Sequence, residues 1–184
     1  MAKRGTNPES TEKQLYRLLT GLAALEQAQA YLRLLPSADG NEDLEHGLWT
    51  AFFISYTKPF SKNKGLMELP VRHIPRERRD LHRRILAIRN SLYGHIDPTA
   101  KLSSGEQLHK VKVRIKSGHL LPNPTRSRPA LTEVPVFADH LQQVVSDILV
   151  AIAELLEKDD ILEGLSDGDY EIDFTSSPAI KAAR

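Results

Sequence analysis

At 184 residues, with 40% hydrophobic and 27% charged side chains, the chain is about the size of one domain and has the composition of a globular one. It has no cysteine, which excludes disulfides and thiolate metal sites. No apolar run approaches the roughly twenty residues needed to cross a bilayer, and the basic start Met1-Ala2-Lys3-Arg4-Gly5-Thr6 leads into polar residues rather than an apolar signal core. The expectation is a soluble, cytoplasmic protein.

The first ten residues read as a flexible N-terminus. Leu15, Leu18, Leu19, Leu22, Leu25 and Leu32 then recur at helical spacing, and Thr11 with Gln14 has the form of a capping box, which predicts a first helix from Thr11 to Leu35. Asp39-Gly40-Asn41 reads as a turn, with Asn41 placed to cap a second helix. In that helix Leu44, Leu48, Phe52 and Tyr56 repeat every four residues until Pro59 stops it, and Trp49 is expected in the core beside Phe52 and Phe53. Pro70 and Pro75 bracket a segment expected to be extended, with Pro75 opening the third helix.

On the third helix Leu81, Ile85, Ile88 and Leu92 form one apolar stripe. His82, Leu86, Arg89 and Tyr93 form a second stripe beside it, which either widens the core face or packs on a second copy of the chain. Val111, Val113 and Ile115 alternate with Lys112, Arg114 and Lys116; Leu131, Val134 and Val136 follow the proline-rich Pro122-Asn123-Pro124. A hairpin-like insertion over residues 108–136 is expected. Leu141, Val144, Val145, Ile148, Ala151, Ile152 and Leu155 return to helical spacing and predict a fourth helix closing a bundle. The fold class is therefore mainly α, four to five helices over residues 11–157 with a β-hairpin between the third and fourth long helices. Residues 158–184 are expected to be an acidic, mostly loose tail in which Tyr170, Ile172 and Phe174 alternate.

The net charge of +1 conceals an asymmetry. Between Lys58 and Arg128 seventeen Lys and Arg face five Asp and Glu, a local net charge of +12, whereas the tail is acidic. A basic middle of this size suits RNA, whose phosphates supply most nonspecific affinity. Lys58, Arg78, Arg79, Arg83 and Arg84 are the candidate RNA contacts, and a solvated face is the plainer alternative. His46, His73, His109, His119 and His140 lack metal-ligand spacing, so neither a metal nor a cofactor is expected.

The densest chemistry lies in Arg89-Asn90-Ser91-Leu92-Tyr93-Gly94-His95. Arg89 and His95 would lie about 120° apart on an unbroken helix, but Gly94 can take the left-handed conformation that ends one, and Pro98 blocks continuation, so the chain can turn His95 back toward Arg89. RNA supplies its own nucleophile, the 2′-hydroxyl. Cleavage then needs a base, an acid and positive charge on the phosphorane. An imidazole near its ordinary pKa and a guanidinium meet those needs without a metal, and Asn90 can orient His95 or a phosphate oxygen. The same spacing fits a salt-bridged arginine and a C-capping histidine.

An arginine, a polar residue and then a histidine at the end of the third helix of a helical bundle resembles the HEPN domains, with a looser likeness in Tyr56-Thr57-Lys58-Pro59-Phe60. The resemblance implies a metal-independent endoribonuclease working as a homodimer, of the kind found among toxins and antiviral effectors. In it Arg89, His95 and Asn90 would be catalytic, Tyr93 and His82 supporting, and a nucleotidyltransferase-like antitoxin a possible partner. It equally implies a noncatalytic relative that binds a nucleotide, RNA or protein. An interaction protein whose acidic tail docks on a partner or on its own basic patch is a reading from another class.

Overall fold

The computed structural model describes residues 10–61, 68–90, 111–116, 119–124, 128–158, 170–173 and 179–182. The chain is mainly helical. Four helices carry the core: α1 (Thr11–Leu34), α2 (Glu42–Thr57), α3 (Arg79–Ile88) and α4 (Val134–Lys158). Helix α1 packs against both α2 and α4, and α3 packs against α2. Two short antiparallel ladders accompany them, β1 (Val111–Lys116) with β2 (His119–Pro124) and β3 (Tyr170–Asp173) with β4 (Ala179–Ala182).

Helix α1 buries Leu15, Leu18, Leu25, Ala28 and Leu32, which recur every three, four or seven residues and so share one face. Its N-cap is Ser10, in extended conformation and without a side-chain cap bond, so Thr11 is the first helical residue and not the cap expected of it. At Gly21 the chain between α2 and α3 crosses α1 closely: a Cβ there would meet Leu69 Cδ1 at 2.5 Å and Pro59 Cβ at 3.4 Å, which explains a glycine inside a helix.

Gly40 has φ of +81°, and Asn41 then caps α2 by accepting the Leu44 N–H at 3.1 Å. Asn41→Ala should cost about 1 kcal/mol, read as a lower urea midpoint at unchanged slope. The core face of α2 is Trp49, Phe52, Phe53 and Tyr56, turned by about one residue from the expected stripe: Leu44 is 46% exposed. Aromatic rings bury more area than leucine, and here they decide the rotation. Trp49 stacks on Phe53 at 5.7 Å and meets Phe137 of α4 edge-on at 5.5 Å.

The Pro70–Pro75 segment is not extended throughout, because Val71–His73 closes a 3₁₀ turn. Pro75 leads into a second such turn, Arg76–Arg78, which runs directly into α3. Leu131–Glu133 is also a 3₁₀ turn and Val134 already belongs to α4, so these residues are not part of a hairpin reaching 136. Pro135 suits a first helical turn, and the buried side chains that follow, Phe137, Leu141, Val144 and Ile148, have helical spacing. With the turn before it, α4 is long and apolar enough by composition to cross a bilayer; Phe137, Leu141, Val144 and Ile148 are buried in the core, and Val136, Leu149 and Val150 are exposed.

Candidate functional site

Arg89 is the C-cap of α3, its backbone N–H bonding to the carbonyls of Ile85 and Leu86. The backbone widens into a π-helical turn at Arg89 and Asn90, a departure that often accompanies functional positions. Arg89 is half-buried, Asn90 is exposed, and Arg89 Nη1 donates to Asn90 Oδ1 at 3.0 Å. The neighbouring amide thus holds the guanidinium where the α-helical stretch of α3 ends. Tyr93 and His95 lie outside the described residues.

His82 stands two turns before Arg89, about 10 Å along the helix axis, and its ring is inside the chain's own core, 3% exposed. The interface role considered for it is therefore corrected: His82 and the partly buried Leu86 widen the core face. His82 Nδ1 lies 2.8 Å from the Tyr56 hydroxyl, which also lies 2.7 Å from Nε2 of His140 on α4. Phe60 covers His82 edge-on at 4.7 Å between ring centres. Three polar rings from α2, α3 and α4 thus form one buried chain of hydrogen bonds.

A hydroxyl has one proton to donate, so one imidazole must accept from Tyr56 and the other donate to it. His140 Nδ1 is buried without a hydrogen-bond partner, and a bare lone pair is tolerated in an interior better than an orphaned N–H. The arrangement of lowest cost has His140 Nε2–H donating to Tyr56 and Tyr56 donating to His82 Nδ1. Burial, with Arg83 beside it, lowers the His82 pKa to about 4. Burial, then His82 and Arg78, lowers His140 to about 4 against the opposing pull of Asp139. Burial pushes Tyr56 up. Both imidazoles are neutral at neutral pH, so the trio positions helices and does not supply a general acid there.

The arginines considered as RNA contacts are engaged in several ways. Arg78 pairs with Asp139 of α4 at 2.5 Å, and Arg84 pairs with Glu133 and lies over the Phe137 ring at 5.8 Å. Arg83 pairs with Asp80 one turn away on an exposed surface. Arg79 Nε reaches the Ile74 carbonyl at 3.4 Å. Lys58 opens the turn after α2 and is exposed. Arg78 therefore ties the turn before α3 to α4, and Arg84 ties α3 to the turn before α4 and to the Phe137 ring.

Tyr56 and His140 are the residues that reading by motif missed. Each occupies a position on the apolar face of its helix, His140 between Phe137 and Val144 and Tyr56 after Phe52 and Phe53. Three titratable rings at core positions of three helices was the available signal. Searches of protein-family models, curated proteins and solved structures return no match for the chain.

Proposed function

We propose that this chain is a metal-independent endoribonuclease with a HEPN-like bundle, active as a homodimer, in which the β1–β2 ladder is an insertion between α3 and α4. The supporting observation is the Arg89–Asn90 pair, bonded side chain to side chain at the solvent-facing end of α3, with His95 following in the sequence. In this reading His95 accepts the proton of an RNA 2′-hydroxyl, whose oxygen bonds to phosphorus while the bond to the 5′-oxygen breaks. Arg89 holds the phosphorane charge through paired N–H groups. The departing 5′-oxygen takes a proton, and His95 of the second copy faces the site to supply it. The products are a 2′,3′-cyclic phosphate and a 5′-hydroxyl. Tyr93 supports the motif, and Lys58 with the exposed arginines holds neighbouring phosphates. A toxin or antiviral effector restrained by a nucleotidyltransferase-like antitoxin is the setting this chemistry fits.

Purified protein is expected to degrade RNA in EDTA, leaving cyclic phosphate ends. His95→Ala and Arg89→Ala should each lower the rate by roughly a hundredfold or more. Intact RNA in the presence of a folded dimer removes the enzymatic reading. A second reading, a noncatalytic module of the same fold binding RNA, a nucleotide or a protein, is favoured by one observation: Arg78, Arg83 and Arg84 are partnered by carboxylates, which reduces the charge α3 can offer to phosphates. RNA or nucleotide binding that survives His95→Ala with no cleavage under any condition supports it.

A further inference from the structure

A cavity of about 230 Å³ lies between the first turns of α1, the turn Val71–His73 and the end of α4, and none of Arg89, Asn90, Tyr56, His82 and His140 lines it. Its polar lining is Gln14, Arg17, Arg72, His73, Glu154 and Lys158. Arg17 is almost wholly buried, at 7% exposure, whereas Arg72 and Lys158 are exposed. Glu154 is the one carboxylate among the lining residues, and Asp147 lies close enough to act on His73, so the three permanent cations outnumber these carboxylates by one.

We propose that this cavity binds a small anion carrying a phosphate group. Two guanidiniums from separate elements can each present a planar fork of donors to tetrahedral oxygens, and an ammonium adds a point charge that needs no fixed orientation. A charge such as that of Arg17, held largely out of water, acts on a bound anion through a lower effective dielectric than a surface lysine would. The volume sets the size class. It falls below the roughly 300 Å³ at which pockets begin to take drug-sized molecules, so it suits orthophosphate, pyrophosphate or the terminal group of a phosphomonoester. His73 is the reporter. It is half-buried and faces Arg72, Arg17 and Asp147, and its pKa is lowered by burial first and then by the two arginines, with Asp147 opposing. A phosphate seated between those arginines offsets their repulsion, so binding should bring the His73 pKa back up and take up protons.

The full-length chain titrated with sodium phosphate and then pyrophosphate, at constant ionic strength set with chloride, should show saturable shifts of the His73 ring signals by NMR. The signals are assigned with His73→Gln. Arg72→Gln, at an exposed position, should leave the fold intact and weaken binding roughly tenfold. Arg17→Lys should also weaken it while keeping the charge, because it removes the fork. His95→Ala should bind as the unmodified chain does, which separates failure here from failure of the ribonuclease reading. A 5′-phosphorylated dinucleotide that binds more tightly than orthophosphate assigns the site to a phosphomonoester end, and equal affinity assigns it to free phosphate. Shifts that rise without saturating into tens of millimolar phosphate, or that are unchanged in Arg72→Gln, overturn the proposal.

Discussion

Between pH 6.5 and 4 the fold is expected to lose on the order of 3 kcal/mol of stability for each of the two buried histidines. His82 and His140 hold folded pKa values of about 4, against 6.5 for an unconstrained imidazole. Below pH 6.5 the unfolded chain takes up protons that the folded chain refuses. The stability is therefore complete above 6.5, declines as the pH falls, and has been lost by about 4, where the folded rings protonate too. Carboxylates in ion pairs slope the same way, so the histidine share must be isolated by difference. His140→Leu removes one ring and leaves Tyr56 its bond to His82. Urea unfolding of both proteins at pH 7.5, 6, 5 and 4.5 should give a visibly shallower pH slope in the variant. Equal slopes would show that burial does not hold His140 neutral.

Trp49→Ala is expected to cost 3–5 kcal/mol, a large part of the stability of a domain this size. Trp49 has no exposed surface and touches Phe52, Phe53 and Phe137, so its removal leaves a hole in the core between α2 and Phe137 of α4. The comparison with Trp49→Phe is more telling. The indole N–H is buried with no hydrogen-bond partner, and an unmet donor in an interior costs about 1–3 kcal/mol. Phenylalanine loses packing volume but also removes that donor, so Trp49→Phe should lose no more than about 2 kcal/mol. Guanidinium unfolding monitored by circular dichroism checks both. A Phe variant as unstable as the Ala variant would mean that the indole N–H does find a partner in solution.

Much of the bundle was legible because apolar periodicity is a local signal. The leucines of α1 and the valines and isoleucines of α4 define their buried faces directly, and Asn41 announces the start of α2. The rotation of α2 was not legible from spacing alone, since both the Leu44–Leu48 face and the Trp49–Phe53 face repeat correctly, and only packing across to Phe137 chooses between them. Val134 and Val136 mimic strand alternation over three residues, too few to outweigh the helical spacing from Phe137 onward. The arginine pairings lay beyond local reach: Arg84 finds Glu133 across 49 positions and Arg128 finds Glu45 across 83. Charge runs show how many cations a segment has, and only the fold shows which are already neutralised. At the motif, Arg89 and Asn90 stand together at a helix end as their adjacency implied, and His95 and Tyr93 lie outside the described residues.

Helix α3 has 10 residues, against 24, 16 and 25 for the others, and fully buries only His82, Ile85 and Ile88. A segment so short has little helical stability of its own, and ion pairs tie both it and the turn before it to their neighbours, Arg84 to Glu133 and Arg78 to Asp139. The last turn of α3, next to Arg89, is therefore expected to open at lower cost than the interiors of α1, α2 and α4. Whatever engages Arg89 must first still that fraying, and gains leverage from doing so. Amide protection at this terminus would register occupancy that a global melting curve, governed by α1, α2 and α4, would scarcely notice.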